Sequence, residues 1–392
     1  MYKIVQTSAG VTAANGFYAD GVSAGLKPNK AKDMAFIYSE VECEIASVFT
    51  TNKMAAAPIK HFKSKGDFKT NFVLINSKNA NAITGKAGVD DIDEILQTLA
   101  NNLVNPVMSS TGVIGVRLPK DKIIEGAKLF DLTKKEHSNA AKAIMTTDTF
   151  SKEISLRVEL SDGGSFNMGA MAKGAGMINP AMATMLCFIT TDANTSKKEM
   201  QDILDEVTLS TFNAASVDGD TSTNDTVMLL TNKTSSVFDA IAFKEALYTI
   251  MHFLALEMVR DGEGATKLVT YKVTGAKDDR EAEIVAKALS DSLLVKTALY
   301  GEDPNWGRIA STVGASGVEC SQERLKVSFE DVCVYDKGEI YFDEVMEEKA
   351  SLIMKKDRFS ISCDLGIGHG VFESYGCDLG HEYVKINADY RT

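Results

Sequence analysis

The run at residues 185–191, "MLCFITT", is apolar at successive positions, not at alternate ones. A strand of that kind is buried on both faces, so the sheet holding it must be covered from both sides. Shorter apolar or alternating runs at 34–39, 46–50, 71–76 and 153–160 read as further strands. The last of these leads through "SDGG", a turn sequence, into "SFNMGAMAKG". Helical spacing of apolar residues covers 121–130 and 134–145, and "SKKE" at 196–199 is a capping box opening a helix towards Thr211. Long helices are expected over 238–259 and 278–293. Beyond them, residues 324–343 read as strands turning at Lys337-Gly338, followed by a helix over 343–355 and a strand at 358–365.

Strands that succeed one another without intervening helices argue for antiparallel sheets packed with helices, against a doubly wound parallel fold. The expected class is α+β: a layered αββα-type sandwich over about residues 1–280, with a smaller C-terminal α/β subdomain over 281–392. A chain of 392 residues has the material for about two domains.

Several function classes are disfavoured. A formal net charge of -12 speaks against nucleic acid or an anionic membrane as main partner, since both need concentrated Lys and Arg. The six cysteines are scattered with no CxxC, so neither a disulfide framework nor a cysteine zinc site is expected. Cys187 and Cys333 read as small core residues. The five histidines lie far apart, and no protein-built metal site is expected. "GIGHG" at 366–370 has too few glycines for a dinucleotide fingerprint and no phosphate-loop motif occurs, so no nucleotide cradle is expected. The N-terminal stretch lacks the apolar core of a signal peptide, and no run approaches the length of a membrane span; the chain reads as cytosolic.

Chemistry enters just before the buried strand. In "KGAGMINPAMATMLCFITTDA" (173–193) small residues lead up to Ala183-Thr184. A threonine is a poor nucleophile without an adjacent base. If the bond before Thr184 is cut, the new α-amine, with a pKa of about 7.7–8.0, lies on the same residue as the hydroxyl and can take its proton. Gly174, Gly176, Pro180, Ala181 and Ala183 would let the backbone bend for the hydroxyl to attack the Ala183 carbonyl. A threonine heading a strand also simply favours β structure, and small residues also make turns. Chemistry alone leaves both readings open.

The same stretch resembles the self-cleaving segment of the ornithine acetyltransferase family, the glutamate N-acetyltransferases of arginine biosynthesis. The resemblance extends over the whole chain, through "STGVIG" (110–115), "IMTTDT" (144–149), "SVDGDTSTNDT" (216–226), "RDGEGATK" (260–267), "YGEDPNWGR" (300–308) and "INADYRT" (386–392). It implies autoproteolysis between Ala183 and Thr184 into an α chain (1–183) and a β chain (184–392), assembled as a heterotetramer of two of each. It further implies a ping-pong transfer in which Thr184 takes acetyl from N-acetylornithine and passes it to glutamate. Thr111 and Gly112 resemble the family's oxyanion-hole pair. Thr147, Lys173, Thr184, Glu263, Asn387 and the terminal Thr392 resemble its substrate-binding set, with Lys173 and Glu263 supplying the opposite charges an amino acid requires.

Asp218, Asp220 and the "YGEDPNWGR" block match the family without individual roles. No cofactor is implied, although some members also take acetyl from acetyl-CoA and share these motifs. Two rivals stand beside this reading: an aminopeptidase or amidase of the same fold with a terminal nucleophile, and a non-catalytic amino-acid-binding protein that stays uncut.

Overall fold

The computed structural model describes residues 1–99, 102–179 and 185–389. Strand β8 (Leu186–Thr191) lies at the centre and is covered on both sides. Leu186 and Phe188 enter one core, while Cys187 and Ile189 enter another. Its neighbour β9 (Thr226–Thr231) repeats the division, sending Met228 and Leu230 to the first core and Val227 and Leu229 to the second.

Among the described residues the larger sheet runs in the order β1 (Tyr2–Thr7), β6 (Lys152–Leu160), β7 (Ser165–Lys173), β8, β9, β3 (Met34–Phe49), β4 (Thr70–Asn76), β5 (Val107–Ser110). Strand β2 (Phe17–Val22) pairs with the first half of β3. The first half of β3 belongs with β2 and β4, and its second half pairs with β9, so β3 passes from one layer to the other.

Helices α5 (Lys197–Ser210) and α6 (Ala240–Arg260) cover one outer face, where Leu204, Phe243 and Leu247 meet Met168 and Ile189. Between the layers pack Phe17, Ile37, Val73, Ile75 and Phe188, together with α4 (His137–Ala143). On the far face α2 (Gly85–Gln97) and α3 (Lys120–Ala127) cover Phe36, Phe72, Leu74 and Met108, and α1 (Ala57–Ser64) packs beside α2. The order is therefore helix, sheet, sheet, helix, the α+β sandwich expected. Each large apolar side chain taken out of water contributes about 1.5–3 kcal/mol, and a strand buried twice over has no polar alternative face.

Two expectations are corrected. The runs at 34–39 and 46–50 are not separate strands: residues 34–39 and 46–49 belong to the 16-residue β3, with an irregularity in its pairing to β4 between Tyr38 and Cys43. The polar "SEVE" that separated them in sequence lies where the strand leaves one layer for the other. The sheets are also mixed, not antiparallel: β4 and β5, β8 and β9, and β10 (Leu268–Ala276) and β14 (Arg358–Asp364) pair in parallel. The first two pairs have α2 and α5 between them in sequence, the crossover that parallel neighbours require.

The second sheet runs β13 (Glu339–Ile340), β12 (Val332–Asp336), β11 (Lys326–Phe329), β14, β10, β15 (Gly370–Cys377). It packs on α7 (Asp279–Asp291), α9 (Trp306–Ala315) and α10 (Glu344–Met354). Its strand β10 begins at Leu268, ahead of residue 281. The helix expected over 278–293 ends at Ser292, whose extended backbone separates α7 from α8 (Leu293–Tyr300) and whose hydroxyl caps the latter. The capping box forms as read, Ser196 and Glu199 each bonding the other's backbone N–H.

Cys187 is fully buried and its thiol is pushed up by burial, whereas Cys333 is only half-buried on β12, outside the core. Helix α11 (His381–Asp389) follows β15 and has no buried residue. Among the described residues no helix is long and apolar enough to cross a membrane.

Candidate active site

Where the parallel strands β4 and β5 end, the chain turns twice. Asn76 holds both turns: its carbonyl accepts from Thr111 N–H at 3.0 Å, its Oδ1 from Ser110 Oγ at 2.6 Å, and its Nδ2 donates to the Asn79 carbonyl at 3.0 Å. Gly112 lies against the neighbouring turn with φ +130, and a Cβ there would fall 2.2 Å from the Lys78 carbonyl carbon. Only glycine lets these backbones approach so closely. The Thr111 N–H being committed, what Thr111 can offer a ligand is its hydroxyl. The Gly112 N–H has no acceptor among the described residues.

Opposite this edge, β7 ends at Lys173, which is 2% exposed. Its ammonium donates to Thr146 Oγ1 at 3.3 Å. Burial holds the Lys173 ammonium below the usual lysine range, against the pull of Asp148. Asp148 is itself buried and anchors both sides of the site. Its carboxylate accepts from Thr146 N–H at 2.9 Å and Gly174 N–H at 2.8 Å, and pairs with Lys152 at 2.8 Å. Burial pushes this carboxyl up, but the Lys152 and Lys173 ammoniums outweigh it and leave it at about 2. Lys152 also pairs with Asp261, at the end of α6. One buried ion cluster thus joins the turn carrying Thr147, the glycine segment after β7, and the loop carrying Glu263.

Glu263 is fixed by its own backbone, which donates to the Ala175 carbonyl at 2.8 Å. Its carboxylate accepts from Asn387 Nδ2 at 2.7 Å. A Cβ on Gly176 would fall 2.5 Å from that carboxylate, so the glycine makes room for it. Asn387 is carried by α11, one turn after Tyr383.

Thr111, Gly112, Thr147, Lys173, Glu263 and Asn387, from five separate stretches of chain, line a single cavity of about 210 Å³. Ala183, Thr184 and Thr392, the cleavage pair and the terminal residue, lie outside the described residues.

The loop 216–226 contributes what the sequence reading left without a role. Asp218 accepts from Met177 N–H at 2.6 Å, Ile178 N–H at 2.9 Å and Tyr383 OH at 3.1 Å. The Ile178 carbonyl in turn accepts from Val217 N–H at 2.9 Å. Burial raises the Asp218 carboxyl, and these hydrogen bonds work against the rise. Asp225, at the other end of the loop, is fully buried and accepts from Met185 N–H at 3.1 Å through Oδ1. Burial holds the Asp225 carboxyl well above the usual carboxylate range.

One loop therefore grips the chain on both sides of residues 180–184, at Met177-Ile178 and at Met185. Asn224 stitches the same loop to the first edge, donating to the Ala80 and Ser110 carbonyls at 2.6 and 2.8 Å. The resemblance of "SVDGDTSTNDT" to the family's block was the available signal. Tyr383 had none, because a lone tyrosine in a terminal segment looks like any other.

A pocket of this size, with a buried ammonium, carboxylates and an edge of free donors, suits a small zwitterion that passes through an oxyanion. A family model described as the ArgJ family matches residues 18–392. The arginine biosynthesis bifunctional protein ArgJ of Wolinella succinogenes is 58% identical over 396 residues, covering 100% of both chains. The protein of that name from Synechocystis sp. is 41% identical over 404 residues, covering 97% of this chain and 98% of its own. A crystal structure of arginine biosynthesis bifunctional protein ArgJ from Bacillus halodurans is 42% identical, covering 51% of this chain and 97% of that one, with a TM-score of 0.47.

Proposed function

The chain belongs to the ArgJ family, and from that premise we propose that it is a self-processing glutamate N-acetyltransferase of arginine biosynthesis, an ornithine acetyltransferase. Acetyl passes from N-acetylornithine to Thr184, ornithine leaves, and glutamate takes the acetyl group to give N-acetylglutamate. The observation that carries this reading is the convergence of Thr111, Gly112, Thr147, Lys173, Glu263 and Asn387 on one small cavity, beside a loop that grips the chain on both sides of residues 180–184.

In the proposed sequence the Ala183-Thr184 bond is cut first, giving chains 1–183 and 184–392 that stay together. The freed α-amine of Thr184 then takes the hydroxyl proton as Oγ attacks the acetyl carbonyl. The Thr111 hydroxyl and the Gly112 N–H are the donors for the oxyanion, each such donor being worth about 3–4 kcal/mol. The proton held by the amine passes to the departing nitrogen of ornithine. In the second half the neutral amine of glutamate attacks the acetyl ester through the same oxyanion, the bond to Thr184 Oγ breaks, and the proton shed by the glutamate nitrogen returns to Oγ by way of the Thr184 amine. Lys173, Glu263, Asn387 and Thr147 hold the charged and polar groups of the two amino acids, with Thr392 completing the set. Two α and two β chains form the working assembly, in the cytoplasm. The relatives are named bifunctional, and acetyl-CoA is the second donor this reading admits.

Intact-mass measurement of the purified protein, followed by a donor assay, tests the proposal. Two chains with masses meeting at 183/184, and N-acetylglutamate formed from N-acetylornithine only when glutamate is present, are expected. Thr184→Ala should stay whole and inactive. Acetate released as fast without glutamate would make the protein a hydrolase of the same fold, and an uncut, inactive chain would leave an amino-acid-binding protein.

A further inference from the structure

The cavity wall holds a residue that this scheme does not use. Asp220 lines the cavity and is solvent-exposed. Its backbone N–H donates to Asp218 Oδ1 at 3.2 Å, which fixes its place on the loop. Of the other two carboxylates of the wall, Asp218 holds the loop in place and Glu263 already belongs to the proposed substrate-binding set. Asp218 is bonded to Met177, Ile178 and Tyr383, and Glu263 to Asn387. The Asp220 carboxylate has no donor among the described residues.

Against these three carboxylates the described residues of the wall present one ammonium, Lys173, which is buried. Among the described residues the open side of the cavity is therefore negative. The charge of Asp220 is felt at Tyr383: burial, then Asp218, Glu263 and Asp220 hold the Tyr383 hydroxyl above its usual range.

The two amino acids of the transfer reaction differ at one end. N-acetylornithine has a single ammonium, on Nδ, because its α-nitrogen carries the acetyl group. Glutamate places a carboxylate in the corresponding position. We propose that Asp220 is a specificity-determining residue that receives the δ-ammonium of the donor, and so favours the diamino acid over the dicarboxylic acid at this end of the cavity. The inference rests on the acetyl-transfer reading. Since the carboxylate attracts one substrate and repels the other, its removal changes the two half-reactions in opposite senses. A residue that merely shaped the loop would impair both.

The test is Asp220→Asn, which keeps size and loses charge, with Asp220→Glu as the charge-restoring variant. Steady-state kinetics are measured for N-acetylornithine and for glutamate. L-ornithine and L-norvaline are compared as inhibitors, since norvaline lacks the δ-ammonium. Asp220→Asn should raise KM for N-acetylornithine about five- to tenfold, the scale of one charge-assisted hydrogen bond in a partly solvated site. It should lower KM for glutamate. Inhibition by ornithine should weaken by the same factor, inhibition by norvaline should not change, and Asp220→Glu should restore the wild-type pattern. Both KM values rising together, or ornithine and norvaline weakening alike, would overturn the inference while the transfer reading stands. A wild-type protein that releases no ornithine from N-acetylornithine would overturn both.

Discussion

Asp148 gives the most quantitative check on how this site is held together. It is buried beneath the cavity, bonded to the Thr146 and Gly174 backbones and paired with Lys152. Its carboxyl stands at about 2, against an ordinary 3.8. At 1.36 kcal/mol per pH unit the difference makes the ionised form worth roughly 2 kcal/mol more to the folded chain than the protonated form. Asn has the shape of the protonated acid, so Asp148→Asn should lower the stability by roughly 2 kcal/mol at pH 7. This lies below the 3–5 kcal/mol typical of stranding a buried charge, because Lys152 keeps Asp261 as a partner.

The sign of the pH dependence follows from the direction of the shift. A carboxyl depressed by folding contributes in full above the ordinary value and loses its contribution as pH falls towards about 2. About half of it should be gone by pH 3. Urea unfolding of wild type and variant at pH 7, 5, 4 and 3 measures the deficit directly, other carboxylates being common to both. A deficit below about 0.5 kcal/mol at pH 7, or one that stays constant from pH 5 to pH 3, would refute the reasoning.

Three further outcomes are expected. Gly176→Ala places a Cβ 2.5 Å from the Glu263 carboxylate, which should swing away from Asn387 and raise both substrate KM values about tenfold with little change in unfolding temperature; unchanged KM values would mean that Glu263 does not bind substrate. Asp218→Asn keeps one acceptor where the carboxylate serves Met177 and Ile178, a loss of about 1.5–3 kcal/mol that should slow self-cleavage about ten- to a hundredfold on a denaturing gel; cleavage at the wild-type rate would show that this grip is not needed. Removing residues 387–392 should cut acetyl transfer at least tenfold while leaving the urea midpoint nearly unchanged, since α11 has no buried residue; loss of folding instead would make the tail structural.

Much of this protein is fixed locally. The unbroken apolar run at 185–191 demanded a sheet covered on both faces, and β8 divides its side chains between two cores as that run requires. The capping box at Ser196 and the turn at Lys337-Gly338 each depend on residues a few positions apart, so sequence alone specified them. Family resemblance, not pattern, picked out the six described residues that meet at the cavity.

What only the tertiary structure decided depends on partners far along the chain. Whether 34–39 and 46–50 are one strand or two is set by β2, β4 and β9, which engage successive halves of β3. Strand direction is likewise chosen by where a crossover helix packs, and so β8 and β9 are parallel with α5 between them. The grip of Asp218 and Asp225 on Met177, Ile178 and Met185 spans about forty residues of sequence. No local pattern distinguishes those carboxylates from surface ones. Burial and a backbone donor from a distant segment of the chain do.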